Sequence, residues 1–169
     1  RTVFNLLGPL TNPAGAPNQV MGVFDPHWIP IILEVLKHLG SEHVLVVAAN
    51  DGLDEISIAA PTQVGELQGG EISYYELSPE EFGIARREQI DELRINSPEE
   101  SLAMLRQALT GEHQAAADIV ALNAGAAIYA SGVVSSMAEG VRHAQQIIAS
   151  GVAIERLQQL ADLSASLAA

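Results

Sequence analysis

The chain has 169 residues, 48% of them hydrophobic, with a net charge of −13 from 21 acidic against 8 basic side chains. Such a length buries on the order of 70% of the surface exposed by its unfolded form, and the hydrophobic content excludes disorder over most of it. There is no basic stripe to displace nucleic-acid counterions, no apolar run near the ~20 residues of a membrane helix, and no cysteine for disulfides or thiolate metal sites. The expectation is a soluble cytoplasmic protein with neither nucleic acid nor membrane as partner.

Arg1-Thr2-Val3-Phe4-Asn5 is apolar by its third residue and lacks the charged start, apolar run and cleavage site of a signal peptide. A start cut through something larger is expected. Residues 1–24 read as an apolar helix or strand that breaks at Gly8-Pro9 and Asn12-Pro13, because proline pushes its predecessor out of the helical region. Residues 19–24 read as a short strand. Asp25 then reads as an N-cap with Pro26 at the first helical position. Ile29, Ile32, Leu33, Leu36 and Leu39 share one face of the helix that follows, and Gly40 stops it. Residues 43–49 are apolar without alternation, the pattern of a strand buried on both faces, and end at the Asn50-Asp51-Gly52 turn. Residues 56–58 read as a short strand, and residues 62–67 and 71–77 as an edge hairpin turning at Gly69-Gly70.

Residues 78–82 resemble a short capped turn, followed by a polar, irregular stretch to Asn96. Ser97-Pro98-Glu99-Glu100 is a capping box opening a helix through Leu102, Leu105 and Leu109 to Gly111. Residues 117–130 are rich in Ala and nearly uncharged, which predicts a helix buried almost all round. Residues 136–150 read as another helix and 154–167 as a last, amphipathic one. No repeat or low-complexity linker divides the chain, so 1–169 reads as one α/β domain, strands first and helices after.

The strongest chemical candidate is Asn50-Asp51-Gly52-Leu53-Asp54-Glu55. Ligands of open α/β sheets bind beyond the carboxyl ends of strands, and a glycine turn lets Asp54 and Glu55 reach toward a common hard cation or toward two neighbouring ones. Mg²⁺ suits such a place, since it takes few protein carboxylates and keeps water and substrate phosphate as its other ligands. A solvated turn is the competing reading. Gly8 and Pro9 form a second candidate: glycine permits close approach and proline stiffens a wall for a flat apolar substrate, although an ordinary loop accounts for the spacing equally well. His27, His38, His43, His113 and His143 are scattered, with no paired spacing and no neighbouring nucleophile, so surface or capping roles are expected. Asn123, inside the Ala-rich helix, is expected to bond backbone or a neighbour. Glu80, Glu81, Glu99 and Glu100 are explained by helix N-termini.

Taken in order, these residues resemble the C-terminal half of the anthranilate phosphoribosyltransferases. The resemblance rests on the block from Arg1 to Pro13, then Gly22-Val23-Phe24-Asp25, Asp51-Gly52-Leu53-Asp54-Glu55-Ile56-Ser57, Pro61-Thr62, Pro79-Glu80-Glu81-Phe82-Gly83, Asn123-Ala124 and Ala149-Ser150-Gly151. It covers almost the whole chain. It implies a phosphoribosyltransferase-type catalytic domain of the nucleoside phosphorylase class, with a mixed central sheet flanked by helices. It implies transfer of a phosphoribosyl group from phosphoribosyl pyrophosphate to anthranilate, with Mg²⁺ held at Asp54 and Glu55 and Gly8 and Pro9 walling the aromatic substrate. It also places the glycine-rich pyrophosphate loop, the arginine for the anthranilate carboxylate and a helical dimer-forming domain upstream, so that the full-length protein would be a homodimer and this segment alone inactive. Arg1 does not match that arginine. Ala48-Ala49-Asn50 stands where relatives often carry His-Gly. A paralogue acting on another aromatic amine, or a noncatalytic module of the same fold, are the alternatives.

Overall fold

The computed structural model describes residues 4–167; Arg1, Thr2 and Val3, the start of the first motif block, lie outside the described residues. The first element is a short helix, α1 (Phe4–Leu10), which carries Pro9 and turns Leu6 into the core. Strand β1 (Asn18–Gly22), helix α2 (Trp28–His38) and strand β2 (His43–Ala49) form a βαβ unit, with β1 and β2 parallel. Strand β3 (Thr62–Gln68) then runs antiparallel to β2, and β4 (Glu71–Leu77) antiparallel to β3. The described sheet is therefore mixed, in the order β1-β2-β3-β4. Gly69 and Gly70 close the hairpin with φ of 59° and 86°, the pair of positive values that a tight two-residue turn demands and that side-chain-bearing residues resist.

Strand β2 is buried at every position, as its unbroken apolar run predicts, because helices cover both faces. Its side chains alternate between two cores. Val44, Val46 and Ala48 pack with Ile29, Leu33 and Leu36 of α2. Leu45 and Val47 face the helices α4 (Gln114–Ala130) and α5 (Met137–Ala149), meeting Leu122, Ala126 and Val141. Each such aliphatic side chain, fully buried, stabilises the fold by roughly 1.5–3 kcal/mol. Helix α2 lies directly on β3, since a Cβ at Gly65 would overlap Ile29 and Leu33. Helix α3 (Pro98–Thr110) and the terminal helix α6 (Val152–Leu167) stand outside this sandwich.

Several local expectations are corrected. Helix α2 begins at Trp28; Asp25 and Pro26 make the turn before it, with Asp25 Oδ1 accepting from the His27 N–H at 2.9 Å. Leu39 is 61% exposed, because α2 ends there. Ser97 does cap α3, accepting from Glu100 N at 3.1 Å, but Glu100 returns its carboxylate to Asn96 N rather than to Ser97. The leucine face of α3 is not buried: Leu102 and Leu105 stay exposed and only Ala108 is fully covered. Helix α6 buries no residue. Periodicity identifies an apolar face; it does not say whether a partner lies against it. Residues 56–58 form no strand, although Ile56, Ser57 and Ile58 are buried.

Candidate metal and substrate site

The loop 50–61 leaves the carboxyl end of β2 and returns into β3. Gly52, at φ 89°, makes its first turn. Asp51 braces the loop from within: Oδ1 accepts from Leu53 N at 3.2 Å and Oδ2 from the Ser57 hydroxyl at 2.6 Å. Ser57 N donates to Thr62 Oγ1 at 3.1 Å, and both residues are wholly buried. The Ala49 N–H donates to Leu53 O at 3.0 Å, which folds the loop back on the strand. Asp54 meets β1 from above, so closely that a Cβ on Gly22 would overlap the Asp54 carbonyl. Asn123 of α4 reaches the loop from the other side, accepting from Ile56 N at 2.9 Å and donating to Ile56 O at 3.0 Å.

Asp54 and Glu55 are thus carried on a fastened loop, and both are exposed. Partial burial holds the Glu55 carboxyl above the ordinary carboxylate pKa, and the neighbouring charge of Asp54 raises it further. Glu55 keeps an exposed surface while losing part of its hydration. A carboxyl whose ionisation is disfavoured by burial and by an adjacent carboxylate is what a hard cation relieves. Among the described residues no group of three or more His, Cys, Asp or Glu gathers into a metal cage. The donor set fits Mg²⁺ on these terms, since that ion binds through one or two carboxylates and completes its shell with water and phosphate. Asp51, part of the same acidic motif, is committed to the loop's own hydrogen bonds.

Gly8 and Pro9 lie elsewhere. Both are exposed on α1, and Pro9 lines a small hollow with Pro17, Gln19, Leu39 and Gly40. That hollow sits at the start of β1, whereas Asp54 touches its end at Gly22. The structure does not bring the two predicted parts of the site together within these residues.

Two histidines take the expected minor roles. His38 Nδ1 lies 2.7 Å from Glu34 O, and His113 Nδ1 caps α4 by accepting from Ala116 N at 3.3 Å. His43 differs. Its Nε2 lies 2.8 Å from Glu66 Oε1, and Glu66, buried on β3, also accepts from the hydroxyls of Tyr75 and Tyr129 at 2.8 Å each. Burial and the bond to Glu66 push the Tyr129 hydroxyl pKa up to about 12, and the same causes raise that of Tyr75 further. Sequence reasoning missed this network. Its only signal was a charged residue, Glu66, between the apolar positions of a strand.

With this geometry in hand, the comparisons with known proteins are specific. The anthranilate phosphoribosyltransferase of Chromohalobacter salexigens is 57% identical over 168 residues, covering 99% of this chain and 48% of that protein. The crystal structure of anthranilate phosphoribosyltransferase from Thermus thermophilus superposes with a TM-score of 0.85 at 44% identity, over 94% of this chain and 46% of that one. The Saccharomyces cerevisiae enzyme in complex with PRPP and Mg superposes with a TM-score of 0.85 at 26% identity, over 98% and 48%. The chain spans about half the length of the relatives it matches. The family described as "Glycosyl transferase family, a/b domain" matches residues 1–154. On that match, joined to a mixed sheet whose helices and strands superpose on solved members, the chain belongs to the glycosyl transferase family and carries its a/b domain.

Proposed function

We propose that this chain is the metal-holding part of a cytoplasmic, homodimeric enzyme that transfers a phosphoribosyl group from phosphoribosyl pyrophosphate to anthranilate. The products are phosphoribosylanthranilate and pyrophosphate, a step of tryptophan biosynthesis. The observation that carries the reading is 57% identity to a named anthranilate phosphoribosyltransferase across nearly all of this chain. The complex of the yeast relative with PRPP and Mg supports the same donor and metal.

In this reaction the amine nitrogen of anthranilate bonds to the anomeric carbon of the ribose as the bond from that carbon to pyrophosphate oxygen breaks; the nitrogen then loses a proton. Positive charge gathers on the sugar and negative charge on the leaving group. When bound, Mg²⁺ supplies Lewis-acid neutralisation of the pyrophosphate and a template for it. Asp54 and Glu55 hold the ion, and the Asp51–Ser57–Thr62 hydrogen bonds keep their loop from collapsing onto the sheet. Gly8 and Pro9 form a wall for the aromatic acceptor: a Cβ on Gly8 would meet nothing within 4 Å, so a flat ring can approach the backbone there. The wall and the carboxylates stand apart within these residues, and the remaining walls of the pocket would come from the other half of the longer protein. Positioning of the neutral amine then supplies much of the rate.

The test is a turnover assay with both substrates and Mg²⁺. The full-length protein is expected to turn over and residues 1–169 alone are not. Asp54→Asn and Glu55→Gln in the full-length protein should each lose at least the roughly 10–100-fold that removing a mere supporting partner of a metal site costs. Full activity of both variants sinks the metal assignment, and turnover by residues 1–169 near the full-length rate sinks the division of the pocket.

A further inference from the structure

Asn123 sits in the middle of α4, on an otherwise apolar and Ala-rich stretch, where a polar amide has to satisfy three hydrogen-bonding groups or lose stability. It satisfies all three. Its oxygen accepts from Ile56 N at 2.9 Å, and its nitrogen donates to Ile56 O at 3.0 Å and to Ile119 O, one turn back in its own helix, at 3.0 Å. The bond to Ile119 locks the side chain, and the other two grip both main-chain groups of a single loop residue, as a neighbouring strand would.

The Ile56 nitrogen belongs to the same rigid peptide plane as the Glu55 carbonyl. Gripping that N–H therefore sets the plane from which Glu55 projects. The Ile56 side chain, 2% exposed, packs in the core with Leu122 and Ala126 of the same helix, so the plane is held by packing as well. On the far side, Gly22 lets the Asp54 carbonyl rest against β1 where any side chain would overlap it. The two adjacent carboxylates are held between these contacts.

We propose that Asn123 and Gly22 are positioning residues for the metal site: the asparagine fixes the Glu55–Ile56 peptide, the glycine seats Asp54, and together they present the two carboxylates at a set separation to a divalent cation. The proposal rests on the reading of Asp54 and Glu55 as Mg²⁺ ligands. Preorganisation of this kind is how partners behind a metal's direct ligands govern its affinity.

The experiment uses the full-length protein with Mn²⁺ as a paramagnetic probe, its binding followed by electron paramagnetic resonance with phosphoribosyl pyrophosphate present. Asn123→Asp keeps the shape but removes the donors to Ile56 O and Ile119 O; Gly22→Ala acts from the other side of the loop, so one variant serves if the other fails to fold. Each should weaken Mn²⁺ binding by roughly 10–100-fold and raise the Mg²⁺ concentration needed for half-maximal turnover, with the KM for anthranilate little changed. Mn²⁺ affinity within twofold of the parent in a folded variant, even one with a lowered Tm, overturns the proposal and leaves Asn123 a helix-to-loop staple. Unchanged Mn²⁺ binding in Asp54→Asn and Glu55→Gln would instead remove the metal reading itself, a result recognisable on its own.

Discussion

Glu66 is a buried carboxylate that accepts three side-chain hydrogen bonds, from Tyr75, Tyr129 and the His43 ring. Each bond contributes roughly 1 kcal/mol net, whereas a donor left unpaired in the interior costs about 1–3 kcal/mol. The pH dependence follows from the tyrosines. Their folded pKa values are raised above the usual 10, to about 12 for Tyr129, so above pH 10 the unfolded chain releases protons that the folded chain keeps. The contribution is whole below pH 10 and is lost as pH climbs toward 12. Tyr129→Phe should lower stability by about 1 kcal/mol at neutral pH and flatten the alkaline decline, as urea unfolding between pH 8 and 11 will read; an unchanged alkaline slope would contradict the assignment. None of this was legible beforehand, because Glu66 and its partners are up to 63 residues apart in the chain. Asn123 was legible in part. A lone amide in an Ala-rich helix has to bond to something, and backbone or a neighbour was the expected partner; which one only the fold could say.

The two helices over the sheet, α4 and α5, approach each other through glycines. A Cβ on Gly125 would sit 2.6 Å from Val141, and one on Gly140 would overlap the Gly125 carbonyl. Backbone cannot give way as a flexible side chain can, so Gly140→Ala should destabilise by about 1–3 kcal/mol or more, despite alanine's higher helix propensity. Thermal unfolding measures it; a raised Tm would mean the helices are not packed this closely. Most elements were readable from the sequence because their signals are local. Ser97 as a cap, Gly40 and Gly111 as stops, and the unbroken apolar run of β2 each act within a few residues. The misjudged faces have one cause. Leu102, Leu105 and α6 carry apolar faces without burial, and burial depends on what the rest of the molecule places nearby.

At the scale of the whole molecule, a mixed α/β sheet flanked by helices was expected and is found. The acidic motif was expected just beyond the carboxyl end of a buried strand, and the 50–61 loop does follow β2 there. The separation of Gly8 and Pro9 from Asp54 and Glu55 was not foreseen, since motif order along a chain carries no distance. A further consequence lies in the sheet's order. Strand β4 meets its open edge with Glu71 and Glu76, charges that discourage a second strand from joining. Strand β1, with β2 as its one described strand neighbour, reads Asn-Gln-Val-Met-Gly and carries no charge or proline. Residues 1–169 prepared alone should therefore associate as their concentration rises, seen by light scattering, and Gln19→Lys should suppress it. A monodisperse monomer at high concentration would show the β1 edge to be covered. A short neutral strand at the edge of the described sheet, and not only the acidic site, is thus a practical matter in handling these residues by themselves.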